Sequence, residues 1–448
     1  MHDGSAATAE PVFLCQAPER GLFGTLTVPG DKSVSHRALM LSSLVPARTT
    51  VSGLLDAGDV RATGAAMAAL GAQIDWPAGD RASVIGPSEL TGRAEPLDLG
   101  NSGTGMRLLC GLLAGQGVGA TLTGDASLRS RPMNRIVNPL RQMGARIETA
   151  AEGRAPLAIA GEQPLTGLRY VMPMASAQLK SALLLAGLGA TGETSVQEPA
   201  PTRDHSESML AGFGVTLRRE PDGWVHLAGP QVLRSPGHIE VPGDFSSAAF
   251  FLVAGSIVPE SDILLKNVGI NPTRRGLLDL LLEMGARIDL VDKRESGGEQ
   301  VADLRVRSAP LEGIDVGPDR VPLMIDEFPV FFVAAALAKG RTRVTGAEEL
   351  RVKESDRLAV MAAGLRTLGV DLKESTDGME IQGSEGFQGG QVHGRHDHRC
   401  AMAFAIAGLR AAGEVRIASV RNVATSFPSF RPALNELGGR VEQIDERD

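Results

Sequence analysis

A predicted helix ends and a short apolar strand begins at Met143-Gly144-Ala145-Arg146-Ile147. Glycine directly after a helix adopts the left-handed backbone conformation without a Cβ clash, so it ends the helix and turns the chain. This arrangement recurs roughly every 70 residues, a longer period than that of the usual solenoid repeats. The sequence therefore predicts six copies of a small α/β module. The six helix-ending glycines are Gly71, Gly144, Gly214, Gly285, Gly369 and Gly438.

Each module repeats one order of elements. A polar segment leads into an apolar helix, a β-rich stretch, a polar loop, a more amphipathic helix and the glycine with its strand, which gives the pattern β-α-β-α-β-β. The first helix is hydrophobic nearly all round, as at Ser181–Leu188 and Val330–Leu337. Such helices belong in a core rather than on a surface. We therefore expect an α/β fold with buried helices.

Two helix starts are nearly identical and lie three modules apart, at Val28-Pro29-Gly30-Asp31-Lys32-Ser33 and Val241-Pro242-Gly243-Asp244-Phe245-Ser246. They predict two similar domains of three modules each, residues 29–241 and residues 1–28 plus 242–448. Two connecting strands near residues 29 and 242 would form a hinge, an arrangement with which proteins close around a ligand. We therefore expect a ligand cleft between the two domains.

The composition restricts the class of protein. The chain has 448 residues and a net charge of −8, which gives nonspecific nucleic-acid binding no support. Its three cysteines are too widely spaced for a disulfide framework or a metal knuckle. The first residues lack a basic signal-peptide segment, and no uncharged apolar stretch reaches about 18 residues. We expect a cytoplasmic protein without a membrane span.

Positive charge gathers at the start of the first module, in Asp31-Lys32-Ser33-Val34-Ser35-His36-Arg37. A helix start exposes backbone N–H groups, and Lys32 and Arg37 add full charges, so the segment is a candidate anion site. It is not a P-loop, because Asp31 stands between Gly30 and Lys32. A helix cap with surface cations is the structural alternative.

Three further segments carry candidate ligand contacts. Glycines around Gly103 would bring backbone close to a bound group, although a structural turn is equally compatible. Arg131 and the nearby Arg129 could fork onto a phosphate or carboxylate, or form a solvated pair. Ser176 and Gln178 are polar residues that lead an otherwise apolar helix, and helix capping explains Ser176 better than Gln178.

Acids occur beside cations in the second half. Asp326 and Glu327 precede an apolar run, where they could serve as helix-cap residues or supply a general base. Lys353 and Arg357 are predicted to share a helix face with Glu354 beside them, and a solvated salt-bridged face is the alternative. The segment 396–399 contains two histidines, but no further ligand set with suitable spacing follows, so we expect no metal.

Together these segments resemble the 5-enolpyruvylshikimate-3-phosphate (EPSP) synthase family, and the resemblance covers nearly the whole chain in the family's order. It implies two domains of three β-α-β-α-β-β units, the inside-out α/β barrel of enolpyruvyl transferases. The residues within these motifs are similar to those of the family's class II branch, although Gly103 stands where that branch commonly has alanine. The matching motifs are Gly30–Arg37, Gly100–Thr104, Gly124-Asp125 with Arg131-Pro132, Ser176–Gln178, Ile325–Glu327, Val352–Arg357 and Asp397–Arg399.

The resemblance implies transfer of the enolpyruvyl group of phosphoenolpyruvate to the 5-hydroxyl of shikimate 3-phosphate, with release of phosphate. Asp326 is then the expected base, Glu354 the expected acid, and Lys32 a further catalytic group. The implied contacts of shikimate 3-phosphate are Lys32, Ser33, Arg37, Ser176, Ala177, Gln178, Arg203, Asp326 and Lys353. Those of phosphoenolpyruvate are Lys32, Gly103, Arg131, Gln178, Arg357 and Arg399.

Two other functions stay open from the residues. The sister transferase acting on UDP-N-acetylglucosamine typically uses a loop cysteine in module two, but the loop Gly124–Met133 has none, and Cys110 falls inside an apolar helix. A noncatalytic phosphate- or nucleic-acid-binding repeat protein is disfavoured by the net charge of −8 and by the acids beside the cations. We expect no cofactor, inhibition by glyphosate, no nucleic-acid or membrane partner, and a monomer.

Overall fold

The computed structural model describes residues 10–162 and 164–446. The expectation about a signal peptide concerns the first residues of the chain, and residues 1–9 lie outside the described residues. The chain divides into two compact units. The N-terminal unit comprises Pro29–Pro242 and Glu295–Gln300, and the C-terminal unit comprises the described residues up to Val28, Gly243–Arg294 and those from Val301 onward.

The N-terminal unit contains three four-stranded sheets, and in each sheet one parallel pair is extended by two antiparallel pairings. In sheet order, the strands are His238–Glu240, Thr49–Ser52, Ala82–Ile85 and Gln73–Asp75; Leu97–Asp98, Ala120–Thr123, Arg154–Ile159 and Ile147–Ala150; and Arg169–Val171, Gly192–Gln197, Trp224–Gly229 and Leu217–Arg219. The helices are Lys32–Ser42, Gly58–Ala69, Gly103–Gly115, Ala126–Ser130, Asn134–Gln142, Ala177–Gly187 and His205–Gly212, with a 3₁₀ turn at Ala151–Gly153.

The C-terminal unit also contains three four-stranded sheets, and the N-terminal strand Glu10–Gln16 lies antiparallel to both of its neighbours. In sheet order, the strands are Phe23–Thr27, Asp262–Gly269, Glu299–Arg307 and Arg287–Ser296; Asp315–Val316, Arg341–Val344, Gly378–Gln382 and Leu372–Ser375; and Gly390–His393, Val415–Ala418, Glu10–Gln16 and Arg440–Glu446. The helices are Phe245–Ile257, Gly276–Glu283, Phe328–Ala336, Arg357–Thr367, His398–Gly408 and Phe430–Glu436, with 3₁₀ turns at Val321–Leu323, Glu348–Val352 and Arg421–Thr425.

The glycine rule that predicted the repeat is confirmed. All six helix-ending glycines have φ values between +81° and +107°, a region in which side chains with a Cβ are strained. The mixed α/β architecture with a repeated β-α-β-α-β-β order is confirmed as well.

The apolar helices form the centre of each core, as their composition predicted. Every residue of Phe245–Ile257 and of Phe328–Ala336 is buried. In the other unit, Gly103–Gly115 packs so closely on Ala177–Gly187 that a Cβ on Gly111 would lie 2.1 Å from the Ala182 carbonyl oxygen. Small residues thus permit backbone-to-backbone helix packing. Each unit has its own hydrophobic core.

Within the described residues, no helix combines the length and the apolar character that crossing a membrane requires. We call the apolar helix of each module its central helix. The central helices are Lys32–Ser42, Gly103–Gly115, Ala177–Gly187, Phe245–Ile257, Phe328–Ala336 and His398–Gly408. Their polar starts carry most of the predicted site residues.

Candidate active site

The start of helix Lys32–Ser42 presents a paired cation. Asp31 Oδ1 accepts a hydrogen bond from the Val34 backbone N–H at 2.9 Å and so caps the helix. Lys32 Nζ lies 2.8 Å from Asp59 Oδ2, and both side chains are partly exposed. Ser33, the next residue, is also half-buried. The ammonium group is therefore held by a carboxylate but still accessible to a ligand.

Arg37 is not a surface cation, although the sequence left that alternative open. Its side chain is buried, and Nε donates to Ser206 Oγ at 2.7 Å while one terminal nitrogen donates to Ser181 Oγ at 2.8 Å. The other terminal nitrogen donates to the Ser33 carbonyl oxygen at 2.8 Å. Burial lowers the pKa of the Arg37 guanidinium to about 10, although the nearby Glu207 acts in the opposite direction.

Gly103 lies between two guanidinium groups. A Cβ built on Gly103 would lie 3.0 Å from a terminal nitrogen of Arg107 and 3.1 Å from one of Arg131. Arg131 also donates to Asn101 Oδ1 at 2.6 Å. The absence of a side chain therefore lets both guanidinium groups approach the helix start, which Ser102 caps through the Gly105 N–H.

Gln178 connects two of the helix starts. Its Oε1 accepts from Arg107 at 2.7 Å, and its Nε2 donates to Thr104 Oγ1 at 3.0 Å. Ser176 caps the helix through the Leu179 N–H, as the sequence suggested, and Ala177 is the first helical residue.

The three modules of the N-terminal unit are joined pairwise by polar contacts at these helix starts. Arg37 links the first module to the third, and Arg107 links the second to the third through Gln178. His36 Nε2 lies 3.5 Å from Ser102 Oγ and links the first to the second. Burial lowers the pKa of His36 to about 3, so the imidazole stays neutral at neutral pH despite the nearby Asp59.

In the C-terminal unit, Arg357 is the centre of a group of carboxylates. Its side chain is fully buried, and its three nitrogens donate to Asp397 Oδ2 at 2.8 Å, Glu354 Oε2 at 2.7 Å and Asp326 Oδ1 at 3.2 Å. Burial acts to lower the pKa of Arg357, but Asp397, Glu354 and Asp326 together raise it well above its usual value.

Asp326 is shared between two arginines. Arg399 donates to the Asp326 carbonyl oxygen at 3.3 Å, and its guanidinium lies 3.9 Å from Asp326 Oδ2. The Asp326 and Glu354 side chains remain partly exposed, at 18% and 32%, whereas Asp397 is fully buried. The two candidate acid–base residues can therefore meet a ligand, and Asp397 holds the arginine from behind.

One prediction at this site is wrong. Lys353 and Arg357 do not share a helix face, because the helix begins only at Arg357 and Lys353 is extended after a 3₁₀ turn. Asp356 caps the helix by accepting from the Ala359 N–H, and a capping residue is itself not helical. Lys353 Nζ instead lies 3.3 Å from Glu349 Oε1.

Asp326 and Glu327 do not cap their helix through their side chains, which was one alternative. Glu327 occupies the cap position of Phe328–Ala336 without a side-chain cap bond. Its buried carboxylate accepts instead from Ser246 Oγ, which also accepts from Arg274 at 2.7 Å. The other five central helices are capped by Asp31, Ser102, Ser176, Asp244 and Asp397.

Several partners of the predicted site residues were not predicted from the sequence. Asp59 pairs with Lys32, Asn101 with Arg131, and Arg107 with Gln178. Asn101 and Asp397 stand inside quoted motifs, which is a signal that could have found them. Asp59 is an ordinary acid in a first helical turn, and nothing in its sequence context marks it.

A sequence model described as EPSP synthase (3-phosphoshikimate 1-carboxyvinyltransferase) matches residues 17–434. The chain belongs to the EPSP synthase family. It is 56% identical over 430 residues to the 3-phosphoshikimate 1-carboxyvinyltransferase of Alkalilimnicola ehrlichii, covering 96% of both chains. It is 53% identical over 444 residues to the enzyme of that name from Methylococcus capsulatus, covering 99% of this chain and 100% of the relative.

Solved structures agree with this membership. An EPSP synthase from Acinetobacter baumannii superposes with a TM-score of 0.89 at 46% identity and covers 97% of this chain and 100% of its own. The enolpyruvyl transferase NikO from Streptomyces tendae has a TM-score of 0.78 at 18% identity, over 98% of this chain and 100% of its own, and so shares the fold.

The site residues predicted by resemblance to the EPSP synthase family form two groups, one in each unit. The group in the N-terminal unit consists of Lys32, Ser33, Arg37, Gly103, Arg131, Ser176, Ala177, Gln178 and Arg203. The group in the C-terminal unit consists of Asp326, Lys353, Glu354, Arg357 and Arg399.

Proposed function

We propose that this chain transfers the enolpyruvyl group of phosphoenolpyruvate to the 5-hydroxyl of shikimate 3-phosphate and releases phosphate. The observation that carries the proposal is the ion-pair group around Arg357, in a chain that belongs to the EPSP synthase family. Two partly exposed carboxylates, Asp326 and Glu354, share one buried guanidinium there. An addition followed by an elimination needs such a pair of acid–base groups beside fixed positive charge.

The donor, phosphoenolpyruvate, carries a phosphate and a carboxylate and therefore needs several cations. The side chains of Lys32, Arg131 and Arg399 are partly exposed, so they can pair with these anions. Arg357 is buried and supplies positive charge from behind its carboxylates. The residues proposed for the donor are Lys32, Gly103, Arg131, Gln178, Arg357 and Arg399.

The acceptor, shikimate 3-phosphate, carries a phosphate, a carboxylate and the hydroxyl that reacts. We assign its binding to polar helix starts of both units, so binding requires groups from both. The hinge predicted near residues 29 and 242 is also part of this proposal. The residues proposed for the acceptor are Lys32, Ser33, Arg37, Ser176, Ala177, Gln178, Arg203, Asp326 and Lys353.

In the addition step, the 5-hydroxyl oxygen attacks the carbon of phosphoenolpyruvate that bears the phosphate. Asp326 removes the hydroxyl proton, and Glu354 donates a proton to the methylene carbon, which becomes a methyl group. In the elimination step, the Glu354 carboxylate takes one methyl proton, the double bond re-forms and the bond to phosphate breaks, while Asp326 gives its proton to the leaving phosphate. Lys32 and the arginines stabilise the anionic intermediate.

A phosphate-release assay tests the proposal. The purified protein with phosphoenolpyruvate should release phosphate when shikimate 3-phosphate is present, and should not do so with UDP-N-acetylglucosamine. The sister transferase typically uses a loop cysteine, and Cys110 does not suit that role. Burial raises the pKa of the Cys110 thiol to about 12 and keeps the thiol away from ligands. Phosphate release from phosphoenolpyruvate with UDP-N-acetylglucosamine, but not with shikimate 3-phosphate, would overturn the proposal. Inhibition by glyphosate and a monomeric state belong to the same proposal.

A further inference from the structure

The loop that carries Arg203 is anchored where it leaves the sheet. Glu198, directly after strand Gly192–Gln197, accepts from Thr202 Oγ1 at 2.5 Å and from the Thr202 backbone N–H at 3.3 Å. The same carboxylate lies 3.0 Å from the fully buried Lys180 ammonium group. The start of the loop is therefore tied to the core helix Ala177–Gly187.

The other end of the loop is anchored by a buried pair. His205 is the first residue of helix His205–Gly212, and its Nδ1 lies 2.7 Å from Glu299 Oε1. The two side chains are only 4% and 2% exposed. Glu299 is 94 residues away in the chain, so this contact is tertiary and is not dictated by the local sequence.

Glu299 is supplied by a hairpin whose tip is itself fixed. The strands Arg287–Ser296 and Glu299–Arg307 form the hairpin, and Glu295–Gln300 belongs to the N-terminal unit. Gly297 makes the turn with φ +59°, and a Cβ on it would lie 2.3 Å from the Glu240 carbonyl oxygen. The tip therefore packs directly on backbone, which limits how far Glu299 can move.

Charge also connects Glu299 with the cations of this region. Glu207, Asp31 and Glu299 all favour the charged form of the buried Arg37, whereas Arg203 disfavours it. Arg203 thus stands within electrostatic reach of a second guanidinium. A carboxylate at Glu299 offsets the repulsion between these like charges.

We propose that Glu299 is a positioning residue for binding of the phosphate group of shikimate 3-phosphate. By holding His205, it fixes the backbone that carries Arg203, two residues earlier, in the place from which Arg203 reaches the phosphate. Glu299 itself does not touch the substrate. This inference rests on the proposed function, which assigns Arg203 to that phosphate.

The test compares two charge-neutralising changes at the same hairpin tip. Glu299→Gln removes the buried charge, and the matched control Glu295→Gln removes an exposed one. Calorimetry gives the dissociation constants for shikimate 3-phosphate and for unphosphorylated shikimate. We expect Glu299→Gln to raise the dissociation constant for shikimate 3-phosphate by about tenfold or more, the usual effect of losing a hydrogen bond to a charged group. Shikimate should bind as before, and the control should change neither constant.

A double-mutant cycle with Arg203→Gln tests whether Glu299 acts through Arg203. If it does, Glu299→Gln should not weaken the binding of shikimate 3-phosphate any further once Arg203 has been replaced. Independent, additive losses would overturn the proposal. So would an equal loss for shikimate, which would indicate a merely structural role. If Glu299→Gln does not fold, Glu299→Asp, which keeps the charge with a shorter reach, should show the same selective loss to a smaller extent.

These outcomes are separable from failure of the proposed function. A wild-type protein that neither binds shikimate 3-phosphate nor releases phosphate with it refutes the proposed function. An active wild type with a Glu299→Gln variant of unchanged affinity refutes only the role of Glu299.

Discussion

The Arg357 guanidinium donates to the Asp397 carboxylate at 2.8 Å, and both side chains are fully buried. Asp397 also caps helix His398–Gly408 through the Arg399 and Cys400 N–H groups. One carboxylate therefore fixes the orientation of Arg357 and the start of the helix that carries Arg399. The geometry of the site depends on this relationship, because Arg357 in turn holds Asp326 and Glu354.

Replacing Arg357 by lysine should damage the site severely. Lysine is a point charge that cannot fork onto three carboxylates, and Asp397 would be left buried with a poor partner. Breaking a buried pair typically costs roughly 3–5 kcal/mol of unfolding free energy, which urea unfolding measures. The control is Arg366→Lys on the same helix, where the side chain is 48% exposed. Equal effects of the two changes would contradict the central role of Arg357.

Asp326→Asn should impair chemistry more than binding. The change removes the proposed base but keeps the shape of the side chain, so kcat should fall by roughly 10²–10⁴-fold, the usual contribution of general acid–base catalysis. Affinity for shikimate 3-phosphate, measured by calorimetry, should change much less. The exposed Asp319→Asn provides the control. Near-normal turnover of Asp326→Asn would rule out its role as the base.

Gly103→Ala should separate glyphosate from phosphoenolpyruvate. The added methyl group would lie 3.0–3.1 Å from the guanidinium groups of Arg107 and Arg131, so one of them must shift or the space for an inhibitor must shrink. Overpacking costs about 1–3 kcal/mol, so we expect the inhibition constant of glyphosate to rise about tenfold or more.

The Michaelis constant for phosphoenolpyruvate should rise much less than that inhibition constant. Gly58→Ala is the matched control, because Gly58 also starts a helix but a Cβ there meets nothing within 4 Å. A wild type that is already insensitive to glyphosate, and unaltered by the extra methyl group, would refute the steric argument.

Stability should fall in mild acid because of His36. Its pKa is about 3 in the folded state because of burial, whereas an unfolded histidine titrates near 6.5. Below pH 6.5 the unfolded state therefore binds a proton that the folded state does not bind. The contribution of His36 to the free energy of unfolding is lost as the pH falls from about 6.5 towards 3.

Urea unfolding of the wild type and of His36→Gln at pH 7 and pH 5 measures this contribution. His36 should account for about 2 kcal/mol of the loss between these values, and the variant should lack that part. The control His238→Gln changes an exposed histidine and should keep the wild-type dependence. Identical pH dependence of His36→Gln and the wild type would contradict this assignment.

The fold could be read from local rules, whereas the site could be read only in part. Gly144 and its five equivalents predicted the repeat because a left-handed helix end is a property of a few neighbouring residues. The apolar run near Phe328 predicted a buried helix for the same reason. Tertiary pairings such as Lys32–Asp59 and His205–Glu299 join residues far apart in the chain. No spacing encodes them.

The wrong helix assignment at Lys353 has a physical reason too. The i, i+4 spacing to Arg357 is compatible with a helix face, but Asp356 supplies a strong cap one residue before Arg357 and starts the helix there. The cap outweighs the charge pattern. Motif residues identified the candidate site, and the structure shows which carboxylate holds which cation.

The most direct measurement of the central claim is the reaction with shikimate 3-phosphate and phosphoenolpyruvate in D₂O, followed by phosphorus and proton NMR. Addition makes the methylene carbon a methyl group by taking a solvent-derived proton, and elimination removes any one of its three hydrogens. We predict free phosphate together with an enolpyruvyl ether that carries deuterium in its vinyl group. No phosphate release, or a product whose vinyl group stays free of deuterium, would contradict it.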